Sequence, residues 1–308
     1  MNTQSSSSAT PSTGQISSIP KQLPYLDLAA AFIDAPPSLD FVFHGFLKGS
    51  VGSLVAPGAA GKSWVATEIA VAVAGGADLL GLQPPQTGRV LMVAAEDPSQ
   101  IIQQRIHTLG KHINAEQRLE VVRNLTIAPT LAMGVNVRSS SWVDLISKDG
   151  ADCRLIVIDT LSRVHDGDEN NRTDASLVMR NLELIASNSK AAVLFLHHAA
   201  KAVALSGQAD SQQASRGSSV WVDEARWVAY LKTMDEKEAK KLGVAPDSRR
   251  KYVRFGTSKQ NYGVPMEDLW LQRTDGGLLL PAHFAKGTIK SGSTKPVQPT
   301  REGFHVPF

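Results

Sequence analysis

Residues 56–63 read APGAAGKS, one glycine short of the loop pattern that cradles nucleotide phosphates, because Ala56 stands where the first glycine usually falls. Such a loop curls successive backbone N–H groups around phosphate oxygens at a helix N-terminus. Its lysine, here Lys62, reaches the β and γ phosphates, and its hydroxyl, here Ser63, binds a magnesium ion. Gly61 is where close backbone approach most needs a residue without a Cβ, and Gly58 adds freedom inside the loop. A small Cβ at Ala56, at the strand exit, is tolerable. Gly58, Ala59, Ala60, Gly61, Lys62, Ser63 and Trp64 are therefore the candidate ATP-binding residues.

The same machinery needs a carboxylate at the end of another buried strand, holding magnesium through water. LIVIDT supplies it at Asp159. Hydrolysis also needs a carboxylate to orient or deprotonate the attacking water. Glu96, directly after VLMVAA, is the candidate base. Its competitor Asp97 precedes Pro98, where it suits a helix cap better. His197 and His198 end the apolar run AVLFLHH at the strand edge that would face the nucleotide. Adjacent histidines project to opposite faces of a strand, and no Cys/His partners stand at ligand spacing, so zinc ligation by the pair is disfavoured and one of the two is read as structural.

These groups must be positioned by elements that the apolar patterning outlines. VGSLVA enters the loop, KSWVATEIAVAVAGG has helical spacing, and RVLMVAA follows as a second buried strand. DPSQIIQQRIHTLG reads as a helix closing on Gly110. After it come the strand LTIAP, the helix SSWVDLIS, the strand LIVID, the amphipathic helix TDASLVMRNLELIASNS and the strand AVLFLHH. Short continuous apolar strands alternating with helices predict an α/β fold, a mostly parallel sheet covered on both faces. ARWVAYLK, KYVRFGTSK and the Gly-split DLWLQRTDGGLLL read as antiparallel additions at a sheet edge.

Composition sets outer limits. The 308 residues are 42% hydrophobic, enough for a large core, and the net charge of +3 is too small for binding to nucleic acid by bulk electrostatics alone. One cysteine, Cys153, permits no disulfide framework. No apolar run approaches the roughly 18–20 residues a membrane span needs, and the N-terminal residues lack signal-peptide character, so the expectation is a cytoplasmic protein with no membrane contact. Residues 1–22 and 285–308 are rich in Ser, Thr, Gly and Pro and read as flexible tails, the second mildly basic. Between them lie an N-terminal arm with a short helix, 23–48, and a core, 49–284.

A base on the strand next to the P-loop strand, with Thr160 immediately after Asp159, resembles the RecA-like P-loop NTPases and argues against an ordinary AAA+ ATPase. The resemblance then narrows. APGAAGKS, VAAEDP, IVIDTLSRVH, LFLHHAAK, QQASRGSSVWVDEARW and VRFGTSKQNYG, in this order, resemble the RepA-type hexameric replicative helicases of broad-host-range plasmids, over about residues 24–283. That family implies a RecA-like core and a homohexameric ring hydrolysing ATP with Mg2+. It also implies 5′ to 3′ unwinding on single-stranded DNA, with a plasmid initiator and a primase as partners. Carried over, Lys62 and Ser63 fall on the phosphate and magnesium positions, Glu96 on the base, Asp159 on the Walker B acid and His198 on the γ-phosphate sensor. Residues 199–215 fall on the DNA loop, which carries Lys201, and Arg216 falls on its far edge. Arg254 and Lys259 are the candidates for the cation that reaches a neighbouring subunit's ATP. Related helicases often carry an arginine two positions beyond that lysine, where this chain has Asn261. The alternatives are a RecA-like recombination or repair ATPase, and a regulatory ATP-binding switch.

Overall fold

The computed structural model describes residues 23–198, 219–263 and 266–284. The predicted DNA-contacting residues Lys201 and Arg216, the loop that carries them and both predicted tails lie outside the described residues. The chain divides into two compact units, 1–39 and 40–308. In the first, the helix α1 (Leu28–Ile33) is capped by Asp27, whose Oδ1 accepts from the N–H groups of Ala29 and Ala30 at 3.0 and 3.1 Å. It stops ahead of Pro36 and Pro37, which cannot continue a helix.

The second unit begins with a hairpin, β1 (Phe41–Phe43) and β2 (Phe46–Leu47). The strand β3 (Val51–Ala56) then enters the P-loop, and α2 (Lys62–Val73) leaves it. The chain continues through β4 (Val90–Ala94), α3 (Ser99–Gly110), α4 (Ala115–Asn124), β5 (Leu125–Pro129), α5 (Ser140–Asp149), β6 (Leu155–Asp159), α6 (Arg172–Ser189) and β7 (Ala192–His198). Beyond residue 218 come α7 (Val220–Asp223), β8 (Trp227–Thr233), α8 (Glu236–Leu242), β9 (Tyr252–Gln260), β10 (Leu269–Arg273) and β11 (Leu279–Pro281).

One sheet of nine strands has the order β11-β10-β9-β8-β3-β7-β6-β4-β5. From β8 to β5 every pairing is parallel, and β9, β10 and β11 add on antiparallel. Two expectations are corrected here. ARWVAYLK is not an antiparallel addition: β8 lies parallel beside β3, with Gly52 opposite Trp227. The strand bearing Glu96 is not next to the P-loop strand either, because β7 and β6 lie between β3 and β4. In both cases sequence order misleads, since crossover helices carry the chain past intervening strands.

Strand alternation sorts the core. Leu155 and Val157 of β6 and Leu194 and Leu196 of β7 face the cluster that contains α2. Ile156, Ile158, Val193 and Phe195 face the cluster that contains α5, α6 and Trp221. Every residue of α2 except Ser63 is buried, so this helix carries no amphipathic stripe and is held on all sides. Each fully buried aliphatic side chain contributes about 1.5–3 kcal/mol.

Two helices escaped the periodicity argument. No residue of α4 is buried, and α8 buries only Ala239, so neither shows an apolar stripe. Both begin with a capping box, Asn114 with Gln117 and Asp235 with Glu238, and those pairs were the legible signal. Asp97 does not cap α3. Pro98 takes the N-cap position, and the Asp97 carboxylate pairs with Arg105 at 2.6 Å.

Candidate active site

Parallel register brings the C-terminal ends of four strands together, with Ala56 opposite His198 and Ala94 opposite Asp159. Open α/β sheets bind ligands at this edge. The same alternation that sorts the core settles which side chains meet there. Asp159 and His198 follow the parity of Leu155 and Leu196, so they project to the α2 face, and Glu96 follows Val90 and Met92. His197 has the opposite parity and packs its ring 5.6 Å from Trp221 on the other face, which makes it the structural member of the pair.

The loop itself has P-loop character. Gly61 sits at φ 103, a left-handed conformation suited to glycine, directly before the first residue of α2. A Cβ there would lie 2.8 Å from Leu279 Cδ1. Gly58 does not take a left-handed conformation, whereas Ala59 does, at φ 63. The loop therefore bends one residue later than the expected use of Gly58. Ala56 is buried at the end of β3, where its methyl is accommodated.

Lys62 is only 6% exposed, and its Nζ donates to the Ala56 carbonyl at 3.2 Å and lies 3.2 Å from His198 Nδ1. Burial lowers its pKa, while the charges of Glu96 and Asp159 act to raise it. Asp159 is pushed up to about 6 chiefly by burial. Its hydrogen bond with Ser63 lowers it, the charge of Glu96 raises it, Arg105 lowers it and Asp97 raises it. The Asp159 Oδ1 atom is buried with no hydrogen-bond partner among the described residues. An orphaned carboxylate oxygen beside a P-loop serine is the donor set that a hard divalent cation takes, so these residues fit magnesium. Thr160, in the position after the Walker B acid, donates its hydroxyl to the Leu196 carbonyl at 2.7 Å and so ties β6 to β7.

An open cleft of about 320 Å3 is lined by Ala59, Gly61, Lys62, Ser63, Trp64, Glu96, Asp97, Arg105, His198 and Arg273. The structure thus brings together Lys62, Ser63, Trp64, Glu96, Asp159 and His198, all singled out from sequence. It places Arg254 and Lys259 on β9, outside the cleft of their own chain. Arg254 pairs with Glu238 and Asp268, each at 3.5 Å, and lies over the Tyr230 ring. Lys259 donates to the carbonyls of Val222 and Asp223, and burial lowers its pKa.

Two cleft arginines were not legible in the sequence. Arg105 lies over the Trp64 ring at 5.9 Å and pairs with Asp97. An arginine on a helix face has no pattern of its own, although its spacing of eight residues from Asp97 was available. Arg273 arrives from β10, more than 200 residues along the chain, and its Nη2 donates to the carbonyls of Ala59 and Ala60 at 3.1 Å each.

The β10–β11 hairpin is tied down by a buried acid. Glu68 on α2 accepts from the Leu279 N–H at 3.1 Å, and burial pushes its pKa from 4.5 to about 8 against the lowering effect of that hydrogen bond. Between those two values the unfolded chain is ionised at this residue and the folded chain is protonated. The folded state then binds more protons, so stability falls as pH rises from about 4.5 to about 8 and is level above. Urea unfolding at pH 5, 7 and 9 is expected to show a decline on the order of a few kcal/mol that Glu68→Gln flattens. An unchanged slope in the variant would assign the decline to other groups.

The fold and site have counterparts among known proteins. A solved structure of a helicase ATPase domain superposes with a TM-score of 0.54 at 16% identity, covering 77% of this chain and 86% of that one. A second, the crystal structure of the RadB recombinase, gives 0.48 at 14% identity, covering 76% and 90%. The shared architecture is the RecA-like P-loop NTPase fold, a mostly parallel sheet with helices on both faces and antiparallel edge strands. A family model described as "AAA domain" (AAA_25) matches residues 19–204. That stretch runs from before α1 to beyond β7 and takes in the P-loop, Glu96, Asp159 and His198. The AAA label sits beside a Thr160 engaged in tying two strands together and a carboxylate that follows β4, so the expectation drawn against an ordinary AAA+ ATPase concerns where the base stands and not family membership. With a matched stretch that covers more than half of its length and holds the P-loop, both acids and the sensor histidine, the chain belongs to the AAA domain family AAA_25.

Proposed function

We propose that the protein is an ATP-driven DNA helicase of the RepA type, a homohexameric ring that translocates 5′ to 3′ on single-stranded DNA in plasmid replication. The observation that carries the reading is the contact of Lys62 with His198 at 3.2 Å. His198 ends β7, and the next residues in sequence are those that carry Lys201 and Arg216. A group beside the phosphate-binding lysine is thereby one peptide away from the segment read as the DNA loop.

In this reading the P-loop N–H groups and Lys62 hold the β and γ phosphates. Ser63 and Asp159 would hold magnesium, which supplies charge neutralisation at the transferred phosphoryl group. Glu96 accepts the proton of the attacking water. With a γ-phosphate present, Lys62 turns from His198 to the phosphate, and hydrolysis lets the pair re-form. That exchange is what the 199–215 segment reads, with Lys201 and Arg216 as its DNA contacts. Arg254 or Lys259 completes a neighbour's site after exchanging its present partners for the phosphoryl group. The apolar side chains of α1, among them Phe32 and Ile33, dock on the adjacent subunit. A plasmid initiator and a primase are the partners of such a ring.

Among the described residues, no helix is long and apolar enough to cross a membrane. The test is strand displacement on duplexes carrying only a 5′ or only a 3′ single-stranded tail, with ATP and magnesium. Unwinding of the 5′-tailed duplex alone is expected. Folded, assembled protein that hydrolyses ATP yet unwinds neither would replace the helicase reading with a recombination ATPase or a regulatory switch.

A further inference from the structure

We propose that Arg273 is a positioning residue that sets the orientation of the P-loop peptides for nucleotide phosphates, an inference that rests on the cleft being the ATP site. The loop is an awkward piece of backbone. Ala59 and Gly61 both take left-handed conformations, at φ 63 and 103, on either side of Ala60. A segment of this kind keeps one shape only where its surroundings hold it. Its internal bond is the Ala60 N–H to the Pro57 carbonyl at 3.3 Å.

Arg273 supplies the hold from outside. Its Nη2 donates to the carbonyls of Ala59 and Ala60, each at 3.1 Å. In a trans peptide the C=O and the N–H point in opposite directions. Drawing the Ala60 carbonyl toward the guanidinium therefore turns the Gly61 N–H the other way, to the side where a phosphate is cradled. The Ala60 N–H is already engaged with Pro57, so the peptide that Arg273 aims is Ala60–Gly61.

The guanidinium is itself held in place. Arg273 is the last residue of β10 and pairs across the hairpin with Leu279. Leu279 packs over Gly61, and its N–H is bound by the buried Glu68 of α2. The hairpin thus grips the loop from one strand and the helix that follows the loop from the other. Both contacts lie within one chain, so this role differs from that of a cation reaching in from a neighbour.

The experiment compares full-length wild type with Arg273→Ala and Arg273→Lys, measuring ATP and ADP affinity by calorimetry in magnesium. The loop N–H groups meet phosphates that both nucleotides possess. Arg273→Ala is therefore expected to weaken ATP and ADP alike, by about tenfold or more, as befits loss of charge-assisted hydrogen bonds. Arg273→Lys keeps the charge and most of the bulk, but its ammonium ends one bond short of Nη2, so the weakening is expected to persist. Three results would overturn the proposal: unchanged affinity in Arg273→Ala, a loss confined to ATP, or full recovery in Arg273→Lys, which would leave charge alone as the cause. If the alanine variant does not fold, the lysine variant carries the comparison. Wild-type protein that binds neither nucleotide would instead sink the ATP-site reading, and this inference with it.

Discussion

Lys62→Ala is expected to lower ATP hydrolysis by about 10³-fold or more, a loss of the size seen when one preorganised charge stabiliser is removed from a water-poor site. The Lys62 ammonium is 6% exposed, and burial lowers its pKa. Two features keep it charged there, the Ala56 carbonyl at 3.2 Å and the carboxylates of Glu96 and Asp159. A desolvated cation set in this way has little water to lose when a triphosphate arrives, so its attraction to the phosphates is not spent on reorganisation. Neither cleft arginine can take its place: Arg273 is engaged with the loop carbonyls and Arg105 with Asp97. Phosphate release with and without single-stranded DNA, alongside far-UV circular dichroism, is the measurement. Hydrolysis within tenfold of wild type in a folded variant would remove the loop from the catalytic reading.

Glu96→Gln is the second large effect, and its signature differs. Gln keeps the size of the side chain and cannot accept the proton of the attacking water, so kcat is expected to fall by about 10²–10⁴-fold. ATP binding is expected to be retained or tightened, because a negative charge facing the phosphates is removed. Glu96 is half-buried and lines the cleft with Lys62 and His198, while Asp97 beside it is neutralised by Arg105 at 2.6 Å. That ion pair is the structural reason to assign the base to Glu96. Single-turnover hydrolysis with a separate binding measurement splits the two effects. A variant that hydrolyses at the wild-type rate would pass the role to Asp97, and Arg105→Ala would then be the next substitution to make.

Much of this site was legible because each part carries a local signature. APGAAGKS has composition and spacing, Asp159 closes a continuous apolar run, and Glu96 follows another. Period-two alternation even separates His198 from His197, since it requires only that β7 be a strand. The helices that lack an apolar stripe, α4 and α8, left only their capping boxes as signals.

What residue types and spacing decided from the outset was the chemistry: a phosphate loop, a metal-holding acid and a base, each at the end of a buried strand. The three-dimensional fold decided adjacency. Strand order set β7 and β6 between β3 and β4, made β8 a parallel neighbour of the P-loop strand, and brought Arg273 onto the loop from more than 200 residues away. Local sequence records the preferences of neighbours along the chain. Which strand lies beside which, and which distant cation meets a backbone carbonyl, depends on how helices cover both faces of one sheet, and that is a property of the packed whole.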